Sequence, residues 1–414
     1  MLKQEKCKKE NIIKKLKKQN GSITLFVLIA LLFFMILAFS AYVASTSKLQ
    51  AQEKQYSKIK SNYENSYTDD DIKNEYLENT VIKRATAAMP EGASIDPTTN
   101  ENTGIVMIDS NQNEWVWIEV PPTVFTTAKN STDYDNIKAD LIAYAKDYRS
   151  DDCTDAWYSG CGLTQEEYTT KYQTMLSSIY TNKGFYVGRY ESGIEGSDIN
   201  TSLARYERTE ITNSSPKAVI RKDMIPYNFV TCSDAQQLAT GMSTGNKTSS
   251  LLFGIQWDLV CKFLEVKGNW DTTTNTAQYY IKENSTSWGN YSNSSITLVR
   301  GKYNISPNLS SSTWVSFNKN TENYVTNFIT ETNKSMLLTT GASENTNKMN
   351  IYDLAGNEWE WILEHATSSS ISPCACRGGS CSYSGSSYPV SYRSHGGTTN
   401  VGNSIGFRST FFEK

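Results

Sequence analysis

The side chains of this sequence that are best suited to chemistry are carboxylates set between tryptophans near the C-terminus. Glu358 and Glu360 alternate with Trp359 and Trp361. A strand would therefore put both carboxylates on one face and both indoles on the other. Paired carboxylates can act as general acid and base or bind a hard cation. Packing of both tryptophans in the core, with both glutamates in solvent, explains the pattern equally well, so we assign no catalytic residue.

Cysteines close to this stretch are the next candidates, because thiols bind soft metal ions and take part in redox reactions. Cys374 and Cys376 form a CxC motif and Cys381 follows. CxC lacks the helical setting that activates the thiols of CxxC motifs, and a redox function of this motif stays open. Farther upstream, Cys153 and Cys161 predict either a local disulfide or two reduced thiols, depending on the redox compartment.

Composition excludes several other kinds of site. His365 and His395 are the only histidines among the 414 residues, which rules out a multi-histidine zinc or iron site within one chain. The sequence contains no GxSxG elbow and no glycine-rich phosphate loop. With 40 Lys and Arg against 43 Asp and Glu, the formal net charge is −3. We therefore expect no nucleic-acid partner.

The end of the chain has the composition of a binding loop. Between His365 and Phe412 there is no Asp, Glu or Lys, and these 48 residues include 13 Ser, 7 Gly and 3 Tyr. Tyrosine with small polar residues is typical of recognition loops, because rings supply contact area at little entropic cost and the small residues adapt. An unselected low-complexity loop is the alternative. The candidate ligand-binding residues are Tyr383, Ser384, Ser386, Ser387, Tyr388, Tyr392, His395, Asn400 and Asn403.

The N-terminal part predicts a membrane anchor for the domain that carries these residues. Residues 1–20 form a lysine-rich tail, and residues 21–45 predict a transmembrane helix whose apolar part, 23–43, spans about 30 Å. The lysines place the N-terminus in the cytoplasm and the C-terminal domain outside the cell membrane. A buried core helix or a cleaved signal peptide is the alternative. Residues 46–88 predict a helical stalk or a disordered spacer.

Residues 89–414 predict one α+β head domain with few strands and many loops. Alternation of bulky and polar residues predicts strands, and helical spacing predicts helices between them. The predicted strands lie in 104–109, 114–120 and 184–192, the predicted helices in 134–148, 165–180, 233–242 and 255–266, and long loops in 271–275 and 333–350.

Motifs along the head resemble the formylglycine-generating enzyme family. They are GFYVGRYESG from Gly184, IPYNFVTCSDAQQLA from Ile225, LLFGIQWDLVCKFL from Leu251, NIYDLAGNEWEWILE from Asn350, RGGS from Arg377 and IGFRSTFF from Ile405. The resemblance covers roughly residues 104–412. It implies a C-type lectin-like fold of that family's type, preceded here by the transmembrane helix and stalk. It also implies a structural calcium ion held by Asp353, Gly356, Glu358 and Glu360.

The same resemblance argues against the oxidase chemistry of the family. Oxidase members hold copper(I) with two cysteines, since that ion prefers soft thiolates. At the matching positions this sequence has Tyr383 and Tyr388, so we expect no copper and a non-catalytic branch. The segment around Gly21, between a lysine cluster and an apolar helix, resembles type IV pilin-like proteins, and processing after Gly21 stays open.

These observations predict a membrane-anchored, surface-displayed protein whose C-terminal lectin-like loops bind an external protein or glycan. The fold also resembles that of retroelement-diversified variable proteins, in which exposed positions of the same region are mutated. Two functions of other classes are the alternatives. One is a formylglycine-generating-type oxidoreductase acting on protein cysteine, and the other is a pilin-like structural subunit. The oligomeric state stays open.

Overall fold

The structure of the chain, a computed structural model, describes residues 81–306, 314–317 and 335–413. These residues belong to the second of two compact units, Asn79–Lys414. The predicted tail, the transmembrane helix of residues 21–45 and all of the predicted stalk before Val81 lie outside the described residues. Among the helices that are described, none is long and apolar enough to span a bilayer.

Helices and strands alternate irregularly along the described chain, in a mixed α/β arrangement. The helices are α1 (Val81–Ala87), α2 (Tyr134–Tyr144), α3 (Gln165–Asn182), α4 (Cys232–Thr240), α5 (Gly254–Lys267) and α6 (Ala277–Lys282). The strands are β1 (Ser94–Ile95), β2 (Val106–Ile108), β3 (Glu114–Glu119), β4 (Cys153–Thr154), β5 (Gly184–Gly188), β6 (Gly193–Ile194), β7 (Ala218–Val219), β8 (Lys247–Leu251), β9 (Lys302–Ser306), β10 (Val315–Ser316), β11 (Ser335–Leu338), β12 (Trp359–Ala366), β13 (Cys374–Arg377), β14 (Ser394–Gly396), β15 (Ile405–Phe407) and β16 (Ser409–Glu413).

The larger sheet joins the beginning of the head to its end. Its strands follow the order β1-β2-β3-β5-β16-β8, and all neighbours are antiparallel. Trp115 and Trp117 of β3 are buried, as are Phe411 and Phe412 of β16, and the rings of Trp115 and Phe411 lie 5.1 Å apart. Aromatic side chains from both ends of the domain therefore share one core.

A second sheet carries the motifs singled out in the sequence. Its order is β14-β13-β12-β15, and β4 also pairs with β12. β12 is antiparallel to β13 but parallel to β15, with Glu360 opposite both Arg377 and Gly406. The segments GNEWEW, RGGS and IGFR, which are far apart in the sequence, thus meet around the start of β12.

The predicted helices are confirmed, with small shifts at their ends. α3 begins with a capping box, in which Thr164 accepts from the backbone N–H of Glu167 and the Glu167 carboxylate accepts from that of Thr164. α5 is buried along most of its length, so its weak amphipathic pattern reflects a core helix. The loop predicted over residues 333–350 is wrong in part, because Ser335–Leu338 pairs with β9 as strand β11.

Candidate functional site: a tyrosine surface on the second sheet

Four aromatic side chains form a continuous exposed group at the start of β12, which we call the tyrosine surface: Trp359, Tyr383, Tyr388 and Tyr392. The Trp359 ring centroid lies 6.1 Å from that of Tyr383, 5.7 Å from Tyr388 and 6.2 Å from Tyr392. Tyr383 and Tyr388 are 4.7 Å apart, and Tyr388 and Tyr392 are 4.9 Å apart. Tyr383 and Tyr392 remain 43% and 41% exposed. These are the centroid separations of interacting rings.

A short turn positions the tyrosines. The Ser384 hydroxyl accepts from the backbone N–H of Ser387 and donates to its hydroxyl, while the Ser384 carbonyl accepts from the N–H of Tyr388. Gly379 precedes this turn with φ +77°, and a Cβ there would meet the Tyr388 carbonyl oxygen at 2.5 Å. Only glycine allows both the backbone angle and this close approach.

Buried charges hold the base of the turn. Arg393, next to Tyr392, donates to the carboxylates of Asp258 and Glu364 at 2.7–3.2 Å. Arg377 donates to Asp258 at 3.0 Å and to the Ser391 carbonyl at 3.0 Å. Neither guanidinium is free for a charged ligand, which confirms the structural function expected of Arg377.

All nine predicted ligand-binding residues are at least partly exposed. The structure brings Tyr383, Tyr388 and Tyr392 together with the serines of the turn. His395, Asn400 and Asn403 lie on β14 and the loop that follows it, and nothing in the contacts of the described residues joins them to the tyrosine rings. Sequence reasoning placed Trp359 in the core and so missed its contact with all three tyrosines. Its position at the first residue of a strand was the available signal.

The thiols near this surface are arranged as core residues. Cys374, Cys376 and Cys381 are all buried. Burial raises the pKa of Cys376 to about 12. The pKa of Cys374 is lowered, chiefly by a hydrogen bond from Cys232. At the positions where family oxidases hold copper, the rings of Tyr383 and Tyr388 pack on each other instead.

The carboxylates of the GNEWEW segment are buried, so the prediction that they face solvent is wrong. Arg408 donates to both oxygens of Glu360 at 2.7–3.1 Å, and it also donates to the carbonyls of Gly188 and Tyr352. These bonds match the structural function expected of Arg408. Both Glu358 oxygens are buried without a hydrogen-bond partner.

The predicted calcium ligands Asp353, Gly356, Glu358 and Glu360 do not share one open position. The Asp353 carboxylate accepts from the Gly341 N–H at 2.6 Å and from the Thr346 hydroxyl at 2.7 Å. Arg408 occupies Glu360 in the same way. Within the part of the chain that the structure describes, no three or more His, Cys, Asp or Glu side chains surround a common metal position. Asp353 and Glu360 therefore do not fit that ligand set, and its calcium ion stays a prediction.

Two solved structures align with this chain. The crystal structure of CarF aligns with a TM-score of 0.33 and 13% identity, over 56% of this chain and 87% of CarF. Treponema denticola variable protein 1 aligns with a TM-score of 0.30 and 12% identity, over 56% of this chain and 85% of that protein. No curated protein sequence matches the chain.

The family comparison covers more than half of the sequence. Residues 171–410 match the family described as sulfatase-modifying factor enzyme 1-like domain. The match begins within α3, ends in β16, and includes the GNEWEW, RGGS and IGFR segments around which the tyrosine surface is built. The chain belongs to the sulfatase-modifying factor enzyme 1-like domain family.

Proposed function

We propose that this chain is a membrane-anchored, surface-displayed binding protein whose C-terminal loops recognise an external ligand. The observation that carries the proposal is the tyrosine surface, in which three partly exposed tyrosines pack around Trp359 at the start of a buried strand. Rigid aromatic rings give a large contact area while little side-chain entropy is lost on binding. The anchor rests on the apolar run of residues 23–43 in the sequence.

The chemistry of the surface supports a ligand with uncharged contact groups. Ring faces and serine hydroxyls are exposed, whereas the nearest charge, Arg393, is bound by Asp258 and Glu364. Such a surface suits the apolar faces of sugar rings or a neutral patch of a protein. Binding should therefore depend little on ionic strength, in contrast to recognition through exposed charges.

Binding is tested with the full chain displayed on cells, which is offered a glycan array and, separately, intact bacterial cells. We expect Tyr383→Ala and Tyr392→Ala each to weaken binding by about 5- to 30-fold, or about 1–2 kcal/mol, as for aromatic hot spots. Tyr206→Ala is the matched control, because Tyr206 is 44% exposed but lies far along the chain from these loops.

Binding that survives both tyrosine substitutions, or that Tyr206→Ala weakens equally, would contradict the proposal. Turnover of a cysteine peptide by the copper-loaded chain would instead favour the oxidoreductase. Diversification of the loops is a separate part of the proposal. It predicts a reverse transcriptase and a near-identical template copy beside the coding sequence, and sequencing of the locus would show whether they are there.

A further inference from the structure

Beneath the tyrosine surface, several buried oxygen atoms have no hydrogen-bond donor. Glu358, the residue before Trp359, is 1% exposed and neither of its carboxylate oxygens has a partner. The Asn228 side chain, also 1% exposed, lies beside this carboxylate. Its Nδ2 donates to the Asn403 carbonyl at 2.9 Å, and its Oδ1 has no partner. Buried polar atoms are seldom left in this state.

A second buried carboxylate adjoins them. Glu191, which is fully buried, accepts from the backbone N–H of Glu358 at 3.1 Å and from the Asn357 amide at 2.6 Å. Each of its oxygens retains a lone pair, because a carboxylate can accept about four hydrogen bonds. Arg408 does not compensate these charges by a salt bridge, since its described ion pair is with Glu360.

Two buried carboxylates and an amide oxygen without donors require a positive species. One proton on Glu358 would supply a single O–H donor and leave another oxygen without a partner. A cation can be coordinated by all the oxygens at once, and carboxylate and amide oxygens are the ligands that calcium prefers. Two carboxylates also match the charge of a divalent ion.

We infer that Glu191, Glu358 and Asn228 form a calcium site, in place of the set that includes Asp353 and Glu360. The ion would join the loop after β5, which carries Glu191, to the first residue of β12, and so fix the backbone under Trp359. The inference does not depend on the proposed ligand binding, because calcium binding is measured on its own.

The test is calorimetric titration of the purified full chain with Ca²⁺ after removal of bound metal by a chelator, together with its melting temperature. We expect one calcium ion per chain and a higher melting temperature with calcium. Glu358→Gln should weaken binding by about tenfold or more, since loss of even an outer-shell partner has an effect of that size. Asp353→Asn is the matched control and should still bind calcium.

Asn228→Asp is a second variant, which keeps the test informative if Glu358→Gln does not fold. It adds a carboxylate to the site and should bind calcium more tightly than the natural chain. The inference is overturned if the natural chain binds no calcium, in which case protons neutralise the glutamates. It is also overturned if Asp353→Asn abolishes binding while Glu358→Gln leaves it intact.

Discussion

Arg408 is fully buried and joins the last strand to the start of β12. Its guanidinium donates to Glu360 and to the carbonyls of Gly188 and Tyr352. Removing one partner of such a pair leaves the other charge buried and uncompensated. Arg408→Met should therefore lower the free energy of unfolding by about 3–5 kcal/mol, measured by urea denaturation.

Arg208→Met provides the comparison for this substitution. The Arg208 side chain is 45% exposed and its ion pair with Asp234 is 4.0 Å long. Because an exposed pair of this kind is screened by solvent, its loss should cost less than about 1 kcal/mol. Equal losses for the two variants would show that Arg408 is not the buried anchor that its contacts indicate.

At the scale of elements, the turn between β13 and Tyr388 depends on Gly379. Alanine there would combine a positive φ with a Cβ 2.5 Å from the Tyr388 carbonyl oxygen and 2.6 Å from the Tyr291 ring. At Gly245 alanine meets a positive φ of +55° but no atom within 4 Å. Gly245→Ala should thus cost about 1 kcal/mol from backbone strain alone.

Gly379→Ala should cost about 1–3 kcal/mol more than Gly245→Ala, because overpacking adds to the same strain. It should also alter the near-ultraviolet circular dichroism of the Trp359 and tyrosine rings, since Tyr388 must shift. Urea denaturation and the dichroism spectrum measure the two effects. Identical stabilities and unchanged spectra for Gly379→Ala would mean that the turn tolerates a Cβ.

Local patterns in the sequence predicted the elements well but not their partners. The helices α2 to α5 and the strands β3 and β5 follow from spacing of three to four or two residues. The strand Ser335–Leu338 was missed, because it lies in a polar segment and exists through pairing with β9. Burial of Glu358 and Glu360 was also missed. It depends on Arg408 and Glu191, which are distant in the sequence, so alternation along one strand could not reveal it.

The candidate site shows the same division. Composition identified the tyrosines and serines of the final loops, and all are at least partly exposed. The grouping of Tyr383, Tyr388 and Tyr392 around Trp359 required the fold of the turn. That fold is set by contacts such as Arg393 with Glu364, a residue of β12. Tertiary contacts of this kind leave no periodic signal in the chain.

At the scale of the whole molecule, a buried ion network ties helices to the second sheet. Asp258 of α5 and Glu364 of β12 are shared by three arginines that come from separate segments. With Asp155 included, three positive and three negative side chains balance one another. The arginines are Arg149, Arg377 and Arg393. Balanced charges of this kind favour one arrangement of the connected elements over alternatives with unpaired groups.

The thiols of the head test how firmly this arrangement closes its core. All seven described cysteines are buried and free, so the alternative of a Cys153–Cys161 disulfide is not formed in the structure. Burial raises the pKa of Cys153 and of Cys261 to about 12. Because the thiolate is the reactive form, these side chains should react slowly with thiol reagents in the native protein.

We expect the full chain carrying Cys7→Ser to show almost no thiol labelling under native conditions. In guanidinium without reductant, all seven remaining thiols should become labelled. A reductant should leave the melting temperature unchanged, since no covalent link is present to constrain the unfolded chain. Recovery of only five thiols, with a melting temperature that falls in reductant, would instead show that one disulfide contributes to the stability of the secreted head.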